Sequence, residues 1–316
     1  MKKRTVITGL ILAASLALTA CGANSVNKNN TKEAAQAQNG AVTFTDALGR
    51  SVTVDHPKRV VSLLGSFTDE WLLAGGEVVG AVSDSFTSTD YTLDPSVVDV
   101  GSHMTPDAEK IISTAPDFII ATQAMDGQVA LKDTFEQAGI TVAYFDVDNF
   151  DDYADMMKVL TNITGREDLY QQNVTEVSKQ IADAKAKANG SKPRVLFIRA
   201  ASTSVKVKGS EGTVSGEILA DLDTVNIADS NSALEDLSIE AIVAADPDFI
   251  FVTTQGSEKA GLANVEKLLT TNPAWSSLTA VKNGRYHVLD KTLYNSKPNE
   301  KWGEAYAHLA EILYAK

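Results

Sequence analysis

The 316-residue chain is 44% hydrophobic and 22% charged, with 20 Gly and 8 Pro, a balance that excludes collagenous, low-complexity and wholly disordered classes. Its formal charge is −13, and because Lys2, Lys3 and Arg4 are the only charges among the first twenty residues, the remainder carries −16. A surface that negative repels phosphate backbones, so no nucleic-acid partner is expected, and a single cysteine permits neither an internal disulfide nor a thiolate metal cluster.

In chain order, Lys2-Lys3-Arg4 and the apolar run Val6 to Leu18 have the layout of an export signal over residues 1–20, too short for a membrane span of about 20 apolar residues. Leu18-Thr19-Ala20-Cys21 resembles the bacterial lipobox. The resemblance implies cleavage before Cys21, lipidation of its thiol, and a chain anchored at the extracytoplasmic face of the cell membrane. Residues 21–40 are rich in Asn, Gln, Ala and Lys; the stretch after Cys21 reads as a flexible tether reaching about 25 Å.

Val42 to Thr45 and Ser51 to Val54 alternate around Ala47 to Arg50 and predict a hairpin. Strands follow at Val60 to Leu64, Val78 to Val82 and Thr141 to Phe145, with helices at Thr68 to Leu73 and Val129 to Gln137. Glu109 to Thr122 then recurs as Glu240 to Thr253, with seven of fourteen positions identical and no gap. Each copy reads as a helix stopped by proline, a Pro-Asp turn and a buried strand, the pieces of a parallel sheet covered by helices. Two copies predict two α/β lobes with parallel-rich sheets, over residues 41–164 and 191–316. Between them, residues 165–190 hold one long helix, Arg166 to Ala188, with an apolar stripe Val174, Val177, Ile181, Ala184 and Ala188 and a capping box from Thr164 to Glu167. Strands Arg194 to Ile198 and Arg285 to Leu289 and a terminal helix Glu300 to Ala315 complete the second lobe.

These features together resemble the helical-linker solute-binding lipoproteins of ABC importers, the class serving iron-siderophores, haem and cobalamin. The matching segments are Asp46 to Val54, Pro57 to Ser62, Val100 to Glu109, both Pro-Asp-Phe-Ile copies and Lys297 to Tyr306, spanning about Val42 to Tyr314. The resemblance implies a monomer that performs no chemistry on its ligand and holds no cofactor. It captures a small-molecule iron complex between the lobes and delivers it to a permease dimer driven by a cytoplasmic ATPase. It further implies that Glu70 and Glu217, on helices after each lobe's first strand, dock onto that permease; helix capping is the alternative use of both.

Ligands of parallel sheets sit beyond the strands' carboxyl ends. The first-lobe loops there offer Phe67, Phe86, Tyr91, His103, Met104 and Met125, and the second-lobe loops offer Arg199, Lys206, Lys208, Lys291 and Tyr294. An apolar wall facing a basic one suits an amphipathic anion, a ferric siderophore first, then haem, then cobalamin. For haem, similar proteins imply Met104 as an axial iron ligand, with His103 beside it or Tyr294 across the cleft as further candidates. Four scattered histidines argue against a zinc or manganese site. No Gly-x-Ser-x-Gly or His-Glu-x-x-His motif or phosphate loop supports a surface hydrolase, and a stiff linker makes an adhesive lipoprotein an odd alternative.

Overall fold

A computed structural model describes residues 36–38, 40–229, 234 and 238–315. The export segment, Cys21 and most of the tether lie outside those residues. The first lobe opens with an antiparallel sheet of β1 (Gln36–Gln38), β2 (Ala41–Thr45) and β3 (Ser51–Asp55). The β2–β3 pair is the expected hairpin, with Val42 opposite Val54 and the turn tied by the Asp46 carboxylate, which accepts from the Leu48 and Arg50 amides.

The main sheet follows: β4 (Val60–Ser62), α1 (Gly65–Leu73), β5 (Val78–Ala81), β6 (Val98–Asp99), a small hairpin β7 (Gly101–Ser102) and β8 (Thr105–Pro106), then α2 (Ala108–Ser113) and β9 (Phe118–Thr122). Two short helices, α3 (Asp126–Val129) and α4 (Lys132–Gln137), stand where the sequence predicts one, and β10 (Thr141–Phe145) completes five parallel strands in the order β10-β9-β4-β5-β6.

Sequence reading missed α5 (Phe150–Thr164), although Tyr153, Met156, Met157, Leu160 and Ile163 are its buried face and Asn149 caps it through the Asp152 amide. Gly165, at φ 72°, takes the left-handed conformation that stops it. The predicted capping box does not form: Thr164 still belongs to α5, its hydroxyl donates to the Ala74 carbonyl, and Glu167 accepts from Lys158 instead.

The linking helix runs unbroken from α6 (Glu167–Tyr170) through a π-helical turn (Gln171–Thr175) into α7 (Glu176–Lys185). It is shorter than expected, about 28 Å at 1.5 Å per residue. Val174, Val177, Ile181 and Ala184 are buried as the stripe predicts, while Ala188 lies beyond its end.

The second lobe contains β11 (Arg194–Ala201), β12 (Val205–Lys208), α8 (Val214–Asp221), β13 (Val225–Asn226), α9 (Ile239–Ala245), β14 (Phe249–Gln255), α10 (Glu258–Val265), α11 (Thr279–Lys282), β15 (Tyr286–Val288), α12 (Lys291–Tyr294) and α13 (Trp302–Tyr314). Its sheet has the order β12-β11-β14-β15, with β13 on the opening residues of β11; all pairs are parallel except β11–β12.

Strand alternation sorts the apolar side chains into layers. Val60, Phe118, Ile120 and Phe145 of the first lobe and Val195, Phe197, Phe249 and Phe251 of the second belong to one core, joined through the α7 stripe and Trp302, Tyr306 and Leu309 of α13. Val61, Ile119 and Tyr144 face a separate first-lobe layer, and Leu196, Ile250 and Trp275 a second-lobe layer. The linker is therefore packed against α13 and shares one continuous core with both sheets, which resists large lobe rotations.

Candidate ligand-binding site

The first-lobe loops converge on one buried amide. Gln128, wholly buried at the end of α3's first turn, donates through Nε2 to the carbonyls of Leu63 (2.7 Å) and His103 (2.8 Å), and its Oε1 accepts from the Thr122 amide (2.9 Å). It thereby ties the ends of β4 and β9 to the β7–β8 hairpin. That hairpin presents His103, whose Nδ1 lies 3.5 Å from Asp84, and Met104, 54% exposed. Phe86 is 42% exposed on the neighbouring loop, Met125 is half-buried, and Tyr91 donates its hydroxyl to the Gly65 carbonyl. Burial pushes the Tyr91 phenol up to about 12, so it stays a neutral donor.

The second-lobe wall has the opposite character. Across the antiparallel β11–β12 pair Arg199 stands opposite Lys206 and Phe197 opposite Lys208, which puts the three cations on one face of the ribbon. Burial lowers the Lys208 pKa, and the charges of Arg199 and Lys206 lower it further. Among the described residues none of the three joins an ion pair, whereas Lys192 of the same lobe pairs with Asp223 at 3.5 Å. Lys291 donates to the Gly256 carbonyl at 3.1 Å.

The two lobes meet where the first turns of α1 touch the segment leading into α13. Asn299, just before α13, donates to the Ser66 carbonyl (3.0 Å) and to Asp69 Oδ2 (2.7 Å), Lys301 pairs with Asp90, and Trp302 packs edge-on against Phe150. Asn299 holds a left-handed backbone at φ 52°, a conformation that asparagine adopts more readily than most side-chain-bearing residues. Beneath this seam lie buried acids. Burial pushes the Asp69 carboxyl up to about 6 against the Asn299 hydrogen bond, with the charges of Glu300 and Asp90 adding to the rise. Glu70 is wholly buried and its pKa is raised well above the ordinary range by burial, opposed by the Lys297 charge; neither carboxyl oxygen has a hydrogen-bond partner among the described residues.

This architecture has clear counterparts. The model of the periplasmic binding protein family matches residues 61–293. The chain belongs to that family. An uncharacterized ABC transporter substrate-binding lipoprotein of Bacillus subtilis (strain 168) is 27% identical over 321 residues, covering 99% of this chain and 98% of that protein. The Fe(3+)-citrate-binding protein of the same organism is 28% identical over 300 residues and 91% of each chain. Among solved structures, a siderophore-binding protein in complex with two acinetobactin molecules and ferric iron superposes with a TM-score of 0.69 at 20% identity, over 86% of this chain and 99% of that one. That likeness establishes the fold: two α/β lobes on a helical backbone.

For this periplasmic binding protein the structure corrects three site expectations. Phe67 is fully buried, edge-on to Phe145, because the helix α1 begins at Gly65 rather than Thr68 and turns that ring into the core. Tyr294 is 1% exposed, with its hydroxyl engaged by the Ala305 carbonyl and His308 Nδ1, so it cannot reach a ligand or an iron across the lobes. Glu70 lies under the seam and presents no carboxylate to a partner protein. Glu217 is half-exposed and accepts from the Gly212 amide at 3.1 Å; burial raises its pKa, and that backbone bond opposes the rise. Phe86, His103, Met104 and Met125 stand on the first-lobe loops, Arg199 and Lys206 on the second-lobe ribbon. Gln128 escaped sequence reading; a glutamine directly after Gly127 on a carboxyl-end loop was its only signal.

Proposed function

We propose that this protein captures an anionic iron complex, a ferric siderophore, between its lobes and delivers it to the permease dimer of an ABC importer powered by a cytoplasmic ATPase. One observation carries the reading: on the β11–β12 ribbon of a chain whose net charge is −13 stand three cations without ion pairs among the described residues, while the first-lobe loops expose Met104 and Phe86. A guanidinium fork and two ammonium groups match carboxylate or catecholate oxygens bidentately and as point charges. The names of the relatives support both the cargo and a lipid anchor on Cys21 at the extracytoplasmic face. In this reading the protein is a monomer, binds without catalysis, and comprises a signal (1–20), a tether (21–40), lobes over 41–164 and 191–316, and the linker 165–190.

Tryptophan fluorescence with ferric siderophores, hemin and cobalamin tests it. Quenching by an anionic ferric complex without turnover is the expected result. A Soret band that shifts in Met104→Ala would instead assign haem, with Met104, exposed on its hairpin, as an iron ligand. Permease docking is proposed for Glu217 alone: Glu217→Ala is expected to lower uptake by cells while ligand affinity measured on the purified protein stays unchanged.

A further inference from the structure

We propose that Gln128 is the positioning residue of the ligand site, holding the His103–Met104 hairpin at one height above the first sheet; the inference rests on the binding reading above. The amide sits where three strand-end loops meet, and the partners are of two kinds. The Leu63 and His103 carbonyls need donors, and the Thr122 amide needs an acceptor. Only a primary carboxamide offers two donors and an acceptor at one side-chain tip. The backbone of Gln128 is itself anchored: its amide donates to the Met125 carbonyl (2.9 Å) and its carbonyl accepts from the Tyr144 hydroxyl (3.0 Å). A side chain fixed at both ends transmits position rather than merely filling space.

The hairpin presses on the same spot from the other side. A Cβ added to Gly127 would fall 2.1 Å from the Met104 carbonyl oxygen, so that glycine lets the hairpin backbone lie directly on α3. The bond from Gln128 ends on His103, the residue bearing one candidate ligand contact and preceding the other. Met125, the third first-lobe candidate, lies three residues upstream and accepts from the Gln128 amide. One buried side chain therefore holds the hairpin that bears two of the expected first-lobe contacts, and its backbone is bonded to the third. Loss of its donors would leave the buried Leu63 carbonyl and the part-buried His103 carbonyl without that partner and free the hairpin to drift, a displacement of the size that degrades a preorganised site.

The chain carries its own controls for the experiment. Of its five methionines, Met104 and Met125 lie on these loops, whereas Met156 and Met157 lie in the core at 2% and 0% exposure. Methyl-13C methionine spectra of the full-length chain are compared for wild type and Gln128→Glu, which keeps size and acceptor but removes both donors when ionised. The Met104 and Met125 signals are expected to move while Met156 and Met157 stay in place, and affinity for ferric citrate to fall about tenfold, the effect of about one lost hydrogen bond. Acidification that protonates the new carboxyl returns one donor and is expected to bring Met104 partway back, a recovery that a loosened fold would not show. Gly127→Ala, which lifts the hairpin without touching the amide, is expected to move the same two signals and guards against misfolding of the first variant. An unmoved Met104 signal in both variants, movement of all four methyls together, or unchanged ferric citrate affinity with Met104 displaced would overturn the proposal. If wild type binds no iron complex, the binding reading fails, and the methyl signals then decide the positioning role by themselves.

Discussion

The two lobes share one device at the amino ends of their sheets and differ at the carboxyl ends. In the first lobe the Asp117 carboxylate accepts from the Lys58 and Arg59 amides (2.8 and 2.9 Å) and its own amide donates to the Arg59 carbonyl. In the second, Asp248 accepts from the Arg194 amide (2.8 Å) and donates back to the Arg194 carbonyl. Ala115 and Asp246, 131 positions apart in the repeat, both take left-handed backbones, at φ 48° and 39°, just before the proline. The Pro-Asp unit is thus a clamp that seats the first strand of each main sheet, β4 or β11, beside the strand that follows the turn, β9 or β14. The elaborations already diverge: the Arg59 side chain returns to the Thr114 and Ala115 carbonyls, whereas Asp246 reaches forward to Thr279. At the other end of the strands the likeness is gone, one lobe presenting sulfur and rings and the other cations. What repeats in this chain is scaffold, and what differs is the site.

The sharpest way to break that contrast is to discharge the basic wall. Arg199→Gln with Lys206→Gln is expected to weaken binding of ferric citrate about 100-fold and to flatten its dependence on ionic strength, measured by fluorescence titration in low and high salt. Affinity unchanged by the double substitution would mean that the cations are surface decoration. Next in size is the pH response of the seam. Asp69, Glu70 and Glu300 all have pKa values raised by burial, so between pH 4 and above 6 the folded chain holds protons that the unfolded chain has released. Stability therefore falls as pH rises through that window. Melting temperature should be higher at pH 5 than at pH 8, and Glu70→Gln should raise it at pH 8 while narrowing the difference; a flat pH profile in wild type would refute the buried acids.

Smaller effects test the clamp. Asp117→Ala, losing two amide bonds, is expected to cost about 1–2 kcal/mol in urea unfolding, and Asp248→Ala, losing one, about 1 kcal/mol. Equal costs would show that the two clamps carry the same load despite their different bonds. Least of all, Met104→Ala should reduce affinity for a ferric siderophore less than about tenfold, since it removes one partly exposed thioether contact.

Much of the scaffold was legible along the chain because its signals are local. Alternation set β2 and β3, proline and glycine set helix ends, and the fourteen-residue repeat announced two sheets before any strand pairing was known. The stripe on α7 announced a buried linker. The helix α5 carries an equally local signal in the apolar spacing of Tyr153, Met156, Met157, Leu160 and Ile163. The candidate site was legible only in its loops: residue type and position marked Met104, His103, Arg199 and Lys206, but the same reasoning marked Phe67 and Tyr294, which the packing buries.

The difference has a physical origin. Backbone conformation and the sidedness of a helix or strand follow from interactions within a few residues, so the sequence by itself determined the α/β class, the twin Pro-Asp turns and the linking helix, while the clamp bonds of Asp117 and Asp248 span more than fifty residues. Whether a side chain at a loop is wet or buried depends on what arrives from elsewhere in the chain. Asn299 comes from 230 residues away to bond Asp69, and beside that contact Glu70, an expected docking acid, is wholly buried. The junction at Gln128 is of the same kind, because its three partners lie on three different loops and no local spacing brings them together.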